Sequence, residues 1–218
     1  MPPQVHTRTD GFQAWFDALP PVTKLYMCLI FGVTVADLLG LIPMMKLILH
    51  WPSIIHGFEI WRLVTHFFVL GPFSLSWLFN MLFLHNYGVP LESGTFMNRT
   101  ADYVWIFTFC GGLVMLLSIL GYLNILPMLI SGANADFMIM VIMFVWSRNF
   151  KDMSVSIWGL FKMQAFYLPF AMLALRTIMG ASPVPGILAI CLGHLYHFLH
   201  SIYPRAGGRN LIPTPQWL

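Results

Sequence analysis

Long apolar segments are the feature that most limits what this chain can fold into. Residues 103–121 form an uninterrupted run without a charged side chain, and a helix needs about 20 mostly apolar residues to cross a bilayer. Only 9% of all residues are charged, while 58% are hydrophobic, whereas a soluble domain carries roughly 25% charged residues. The chain has too few polar side chains to cover a water-facing surface, so lipid is its expected solvent.

Six segments are predicted to cross the membrane. They are residues 25–42, 72–89, 103–121, 125–146, 165–179 and 184–202. The second contains polar residues such as Asn80, and the fifth is short and ends near Arg176. A short span can be accommodated by a locally thinner bilayer. The expected fold is therefore an all-α membrane protein, a bundle of six transmembrane helices that occupies residues 1–203.

Residues 43–68, between the first two predicted spans, are expected to lie along the membrane surface. This segment, called loop L1 below, is too long for a tight turn. Its many apolar side chains are interrupted by Lys46, Glu59 and Arg62. Such a mixture favours amphipathic helices that lie in the interface rather than across the bilayer. We expect one or two interfacial helices here.

The positive charges predict the orientation of the bundle. With six spans, both termini lie on one side, and that side carries eight Lys and Arg residues. The opposite side carries Lys46, Arg62 and at most Arg176. The positive-inside rule then places both termini, including the short tail 204–218, in the cytosol. The sequon Asn98-Arg99-Thr100 falls on the same side and is expected to stay unglycosylated.

Two pairs of residues are candidates for a role beyond ordinary packing. Trp61 and Arg62 lie in loop L1, where Trp prefers the headgroup level and Arg can hold a phosphate or a local carboxylate. The functional hypothesis is that this pair fixes a large half-embedded loop that deforms the bilayer, and the alternative is an ordinary membrane anchor. Ala189 and Gly193 in the sixth span are a small-xxx-small pair, a spacing that lets two helices approach closely.

Polar side chains inside the predicted spans are candidates for lining a hydrated groove. They are Asn80, Asp136, Gln164 and His194. Polar groups in a membrane segment usually face an interior or a cavity. For Asn80 and Asp136, a structural hydrogen bond is the alternative. His194 and His197 share a helix face but have no evident acidic or cysteine partner, so no metal site is expected. No cofactor and no nucleic-acid binding are indicated either.

The ordered set of motifs resembles the rhomboid superfamily and, within it, the Derlins, which are rhomboid-like pseudoproteases of the endoplasmic reticulum. The rhomboid-like features are Trp61-Arg62 after the first span, Asn80 in the second, and Gly193-His194 in the last. The features similar to Derlins are Arg99-Thr100-Ala101-Asp102-Tyr103, Phe166-Tyr167-Leu168-Pro169 and Gly207-Gly208-Arg209-Asn210. Together they cover nearly the whole chain in order.

This resemblance implies a role in degradation associated with the endoplasmic reticulum. Derlins move misfolded proteins from the lumen or membrane to the cytosol without cleaving them, through a lateral hydrophilic groove with local membrane thinning or through an oligomeric channel. The implied partners are misfolded polypeptide clients, a membrane ubiquitin ligase complex, the valosin-containing AAA unfoldase (directly or through adaptors) and further copies or relatives of the chain. The implied location is the endoplasmic reticulum membrane.

The main alternative is an active intramembrane serine protease that uses Ser131 and His194. A serine nucleophile needs a histidine base and oxyanion donors, and active rhomboids place the serine in Gly-x-Ser-Gly. Here the corresponding residues are Leu129-Ile130-Ser131-Gly132, which lack the leading glycine, and Ser76 stands where active rhomboids have a second histidine. The resemblance to Derlins favours a pseudoprotease. A small-solute transporter is less favoured, because the sequence has no inverted repeat.

Overall fold

The computed structural model describes residues 11–127, 130–157, 161–178, 180–209 and 211–215, and it is mostly helical. The helices are α1 (Gly11–Asp17), α2 (Pro21–Leu38), α3 (Trp51–Gly57), α4 (Arg62–Thr65), α5 (Leu75–Phe83), α6 (Thr100–Tyr122), α7 (Ala135–Asn149), α8 (Leu168–Ile178), α9 (Pro183–His197) and α10 (Tyr203–Arg205). Wider π-helical turns extend α5 and α9, at Leu84–Gly88, Leu91–Thr95 and Phe198–Ile202, and short 3-10 turns lie at Met44–Lys46 and Ala165–Tyr167.

Three of the described helices are long and apolar enough to cross a membrane. They are α2, α6 and the continuous helix Pro183–Arg205 that contains α9. The apolar helix Ala165–Ile178, which contains α8, is shorter, and α7 has 15 residues. The helical, membrane-compatible class predicted from the sequence is confirmed. Since only three helices meet these criteria, a count of six spans stays a prediction.

Turn residues set the ends of α2 and α5, which differ from the predicted bounds. Helix α2 begins at Pro21, where a proline suits the first helical turn, and it ends where Gly40 adopts a φ of 69°. Helix α2 therefore begins and ends four residues before the bounds of the predicted span 25–42. Helix α5 begins only at Leu75, because the side chain of Ser74 accepts a hydrogen bond from the backbone nitrogen of Trp77 at 3.2 Å.

Helix α7 lies at the centre of the bundle. It contacts α5, α6, α8 and α9, and every residue from Phe137 to Ser147 is buried. Helix α7 begins ten residues after the start of the predicted span 125–146. The chain turns after α6, where Asn124 has a φ of 56°, and residues 130–134 are held in an irregular conformation beside loop L1. A continuous apolar stretch was thus divided between a loop and a helix.

A β-hairpin between α7 and α8 departs from the all-α expectation. Strands β1 (Ser154–Ile157) and β2 (Phe161–Gln164) pair antiparallel, with Ser154 opposite Gln164. In the first strand polar and apolar residues alternate, which is the period of a strand with two different faces. The hairpin lies in the segment that was expected only to connect two spans.

Loop L1 contains two short helices, α3 and α4, and covers one end of the bundle. Leu49, Trp51 and Ile54 form a small separate core with partly buried side chains of Leu63, Met115 and Tyr122. Large apolar side chains remain exposed on the outer surface of the loop, among them Met45, Phe58 and Ile60. Exposed apolar groups of this kind suit an interfacial position, which stays a prediction.

The two ends of the described chain lie at the other end of the bundle. Trp105, near the start of α6, donates a hydrogen bond from Nε1 to the carbonyl oxygen of Ile212 at 3.3 Å. At the start of α2, the hydroxyl of Thr23 lies 3.2 Å from that of Tyr103 in α6. The beginning of α2 and the tail therefore both lie beside the first turns of α6.

Candidate functional site

A narrow crevice between α5 and α8, with α7 as its floor, is the first candidate site. Its volume is about 30 Å³, and it is lined by Ser76, Phe79, Asn80, Phe83, Ile139, Met140, Met143, Met172, Leu175 and Arg176. Four methionine and leucine side chains give it adaptable apolar walls, because such side chains repack easily. Polar groups enter only from Ser76, Asn80 and Arg176.

Asn80, a predicted groove residue, lines this crevice and is buried. Its Nδ2 donates to the carbonyl oxygen of Ser76, one turn earlier in the same helix, at 2.9 Å. This bond is the structural role that the sequence analysis held open as the alternative for Asn80. The side-chain amide of Asn80 nevertheless lies on the α5 wall of the crevice.

Asp136, another predicted groove residue, forms an ion pair with Arg176 at the edge of the crevice. Both side chains are 28% exposed, and Asp136 also accepts a hydrogen bond from the backbone nitrogen of Phe137 at 2.8 Å. The pair joins the first turn of α7 to the last turn of α8. The sequence analysis noted Arg176 only as a loop cation, since nothing in a sequence couples two residues 40 positions apart.

Gln164 does not join this group. It is the last residue of β2 and is exposed. Arg176 and Asp136 lie at the opposite end of α8, which is about 16 Å long. The structure therefore places Asn80 and Asp136 around one crevice and leaves Gln164 outside it.

Arg62 is buried and binds to loop L1 itself. Its Nε donates to Glu59 Oε2 at 2.5 Å, and its Nη1 donates to the carbonyl oxygens of Met45 and Ile48 at 2.7 and 2.9 Å. The neighbouring Trp61 is half-exposed, and its Nε1 donates to the carbonyl oxygen of Lys46 at 3.2 Å. Of the two partners considered for Arg62, the structure shows the local carboxylate. The pair fixes the fold of the loop and leaves the indole face available to lipid.

A buried polar cluster joins loop L1 to the start of α7. Asn134 Nδ2 lies 3.0 Å from His66 Nδ1, and His66 Nε2 lies 3.2 Å from the sulfur of Met115. Since the amide nitrogen is a donor, Nδ1 accepts and the proton of the neutral ring resides on Nε2. Burial lowers the pKa of His66 from 6.5 to about 4. The loop is thus attached to the bundle by a histidine that stays neutral.

Ala189 and Gly193 lie on the face of α9 that packs against α7, and both are buried. A Cβ atom at Gly193 would lie 2.9 Å from Cδ1 of Phe144, which is closer than two carbon atoms approach without strain. The small residues therefore permit the close contact that their spacing predicts. His194 is exposed on the neighbouring face, and its ring meets that of Phe144 edge-on, with centroids 6.1 Å apart.

Ser131 and His194 are not brought together. The carbonyl oxygen of Ile130 accepts a hydrogen bond from Ser118 Oγ at 3.0 Å, so Ser131 lies near the level of Ser118 in α6. His194 lies two residues after Leu192, whose carbonyl oxygen lies 4.0 Å from Cys110 Sγ. Residues 110 and 118 are about 12 Å apart along the helix axis. A nucleophile and its base must instead lie within hydrogen-bonding reach, about 2.6–3.2 Å.

Glu92 has a structural role that the sequence analysis missed. This buried carboxylate accepts hydrogen bonds from the backbone nitrogens of Val22 and Thr23 at 2.9 and 2.7 Å, and from Thr23 Oγ1 at 2.6 Å. The bonds satisfy the free N–H groups at the start of α2, where a negative charge is favourable. A carboxylate directly after an apolar span is costly unless it has partners, and that signal could have pointed to it.

No group of three His, Cys, Asp or Glu side chains suited to a metal ion occurs in the part of the chain that the structure describes. The cluster of His194, His197 and His200 therefore does not assemble with an acidic or cysteine ligand there.

Comparison with known proteins gives one consistent result. A family model described as the Der1-like family matches residues 19–216. Derlin-1 of Arabidopsis thaliana is 40% identical over 204 residues, which cover 94% of this chain and 74% of that protein. Derlin-1.1 of Zea mays is 40% identical over 204 residues, with 94% and 82% covered. The probable derlin-2 homolog of Dictyostelium discoideum is 34% identical over 211 residues, with 95% and 81% covered.

Proposed function

The chain belongs to the Der1-like family, and from this premise we propose that it moves misfolded proteins from the lumen or membrane of the endoplasmic reticulum to the cytosol. The transfer is non-proteolytic and serves degradation associated with this organelle. A client segment enters sideways between α5 and α8, in a bilayer that the protein makes locally thinner. Six helices cross the membrane in this proposal, and both termini lie in the cytosol.

The short helix α8 is the observation that carries this proposal. With its preceding turn, Ala165–Ile178 is about 22 Å long, whereas the hydrocarbon core of a bilayer is about 30 Å thick. Apolar side chains of α8 such as Phe170 and Ile178 are exposed, so one side of this helix is available to lipid while the other packs on α7 and α9. A bilayer that adapts to α8 becomes thinner beside the crevice. A polar backbone crosses a thinner hydrocarbon layer at a lower desolvation cost.

The crevice supplies the contacts that a client needs in this mechanism. Methionine-rich apolar walls accommodate varied side chains, while Asn80 offers an amide to an unpaired backbone group. The Arg176–Asp136 ion pair connects α8 to α7 at the edge of the crevice, and its separation lets α8 move away from α5. No covalent step is required.

The proposed partners provide the pulling force and the ubiquitin label. The sequence of this chain contains no phosphate-binding Gly-x-x-x-x-Gly-Lys loop, so the pulling force comes from the valosin-containing AAA unfoldase, bound directly or through adaptors. A membrane ubiquitin ligase complex marks the client. Further copies or relatives of the chain can enlarge the lateral opening into an oligomeric channel.

Site-specific photocrosslinking tests the proposed client path. A photoreactive amino acid is placed at Leu175, which lines the crevice, in cells that express a misfolded client and an inactive unfoldase. We expect a crosslink to the client from this position. The matched control is Leu116, which is half-exposed on α6 and away from the crevice. Equal crosslinking at both positions, or none at Leu175 while client turnover depends on the protein, contradicts the lateral path.

A separate experiment distinguishes the protease alternative. The purified protein is treated with a serine-directed fluorophosphonate probe, and Ser131→Ala is compared with wild type. Because Ser131 and His194 lie apart, we expect no labelling of Ser131 and unchanged client turnover in the variant. Labelling that disappears in Ser131→Ala would establish a reactive nucleophile and overturn the non-proteolytic assignment.

A further inference from the structure

A second and much larger groove lies at the end of the bundle that carries the tail. It is enclosed by the last turns of α7, the first turns of α8 and the second half of α9, and its volume is about 1230 Å³. Pockets for small molecules measure roughly 300–1,000 Å³, so the groove has room for a larger ligand. It is distinct from the crevice, which lies between α5 and α8.

The charged residues that line this groove are all basic. Arg148, Lys151 and Arg205 contribute three cations, and Asn149, His194 and His197 add polar groups without a carboxylate. None of the three cations forms an ion pair with another described residue, whereas Lys24, Arg62, Arg99 and Arg176 each pair with a carboxylate. The groove therefore concentrates positive charge that the described chain does not neutralise.

Arg148 is held in place without an anionic partner. Its guanidinium lies over the ring of Phe166 at 3.9 Å from the centroid and near that of Phe144 at 4.5 Å. Its Nε is buried and has no hydrogen-bond partner among the described residues. A buried donor without an acceptor is costly. The aromatic contacts thus position a cation that still lacks an acceptor.

Apart from these cations and the polar groups, the groove is lined mainly by apolar side chains, several of which are exposed. Its lining includes Phe170, Ile190, Leu195, Phe198 and Ile202. Phe170, Leu195, Phe198 and Ile202 are among the exposed large apolar side chains. A ligand that fits both parts has a negative head and an apolar tail.

We propose that this groove binds an anionic phospholipid, with the phosphate on Arg148, Lys151 and Arg205 and an acyl chain along α9. The positive end of the bundle is the expected cytosolic side, and that leaflet presents anionic headgroups that attract basic residues near the membrane surface. Guanidinium groups bind phosphate through paired hydrogen bonds in addition to charge attraction. The bound lipid fills the groove beside the first turns of α8 and the second half of α9.

Native mass spectrometry of the purified full chain in detergent tests this site. Phosphatidylinositol and phosphatidylcholine are titrated separately, and the dissociation constant is compared among wild type, Arg148→Gln and Arg205→Gln. We expect preferential binding of phosphatidylinositol and about fivefold weaker binding for each removed charge. Lys162→Gln and Arg209→Gln are the matched controls, because they remove charges that do not line the groove.

Three results would overturn the proposal. One is equal affinity of wild type for both lipids. Another is an equal loss in the control variants, which would indicate attraction to net charge alone. The third is full displacement of the lipid by inorganic phosphate, which would assign the groove to a soluble phosphate compound.

A photoreactive lipid provides a test that does not depend on the variants folding. Wild-type protein is irradiated with a phosphatidylinositol analogue that carries a diazirine in its acyl chain, and the labelled peptides are mapped. We expect labelling at Phe198 and Ile202. Labelling spread evenly over lipid-facing helices, including Leu116 of α6, contradicts a defined site. Neither lipid experiment involves a client, so its failure leaves the proposed transfer function untouched.

Discussion

Single buried residues determine how closely the helices of this bundle approach one another. Glu92 stabilises the start of α2, which has no side-chain cap of its own. Gly193 lets α9 lie against Phe144 of α7, with no space for a side chain between them. His66 completes a neutral hydrogen-bonded cluster beneath loop L1. Each contact joins segments that are distant in sequence, so a change at one position affects two elements.

Gly193→Ala should destabilise the bundle. The new Cβ would lie 2.9 Å from the ring of Phe144, and relief of such a contact in a packed interior costs about 1–3 kcal/mol. We expect a lower thermal unfolding midpoint in detergent. Gly112→Ala is the matched control, since nothing lies within 4 Å of that position and alanine favours a helix. Equal midpoints for wild type and Gly193→Ala would refute the close packing of α9 on α7.

Because of His66, the free energy of unfolding should decrease at acidic pH. The pKa of His66 is about 4 when folded and 6.5 when exposed, so the unfolded chain binds more protons between these values and stability decreases as the pH falls through that window. At pH 5 the loss is about 2 kcal/mol relative to pH 7.5. Thermal unfolding across this pH range measures it.

The matching variants are His66→Gln and His56→Gln. Glutamine at position 66 can accept from Asn134 and donate to Met115 without titrating, so it should remove about 2 kcal/mol of the acid sensitivity. His56 is exposed, and its replacement should leave the pH profile unchanged. An identical profile in wild type and His66→Gln would show that His66 is not the titrating group.

Helix α8 is attached to the bundle by contacts on one side and by an ion pair at its last turn. It is short, faces lipid on one side and packs on α7 and α9 on the other. The ion pair between Arg176 and Asp136 connects its last turn to α7, while the β-hairpin precedes its first turn. A short helix with exposed apolar side chains is a candidate for local opening. This property suits the proposed entry of a client beside α8.

Arg176→Gln should loosen the last turn of α8. The pair is partly buried, so its loss is expected to cost about 1–2 kcal/mol, between the values for exposed and buried pairs. Hydrogen exchange of the α8 amides should accelerate. Lys24→Gln is the matched control, because its partner Asp17 is 63% exposed. Unchanged exchange in Arg176→Gln would mean that packing alone holds α8.

At the scale of the whole molecule, the arrangement of the chain ends agrees with the orientation expected from the charges. The start of α2 and the tail both meet the first turns of α6, while loop L1 covers the opposite end. The predicted six crossings would place both chain ends on one side of the membrane, and this count stays a prediction. The basic groove lies at the end with the tail, and the entry crevice with its ion pair lies towards the loop L1 end.

The sequon Asn98-Arg99-Thr100 should remain unmodified in cells. It lies just before α6, at the end of the bundle that carries both chain ends, and glycosylation acts on lumenal segments. Treatment with endoglycosidase should not change the gel mobility of the protein. Tags at both termini should be digested by protease after selective permeabilisation of the plasma membrane. A mobility shift at wild-type Asn98 that is absent in Asn98→Gln would reverse the orientation.

Much of the fold follows from the sequence, because few backbone conformations are stable in lipid. In an apolar solvent a backbone must satisfy its own hydrogen bonds, so apolar runs such as residues 103–121 become helices. Family membership also followed from ordered motifs, and the family model confirms it. The positions at which helices begin were less predictable. Pro127 and Asn124 end one element inside an apolar stretch, and Ser74 delays the start of α5, because local turn chemistry outweighs hydropathy there.

The candidate site was only partly accessible from the sequence. Asn80 and Asp136 could be singled out, since polar groups in apolar spans need a partner or a cavity. Their actual partners, Ser76 and Arg176, depend on how the helices pack.

The sequence by itself determined that this chain is a helical, membrane-compatible member of its family, because composition and motif order are properties of the linear chain. Tertiary structure alone decided that Arg176 meets Asp136, that Glu92 caps α2, and that Ser131 lies apart from His194. Packing of apolar helices is non-directional and leaves their rotation and depth open. The rotation and depth of each helix are instead set by small residues and by buried polar contacts between segments that are far apart in the chain.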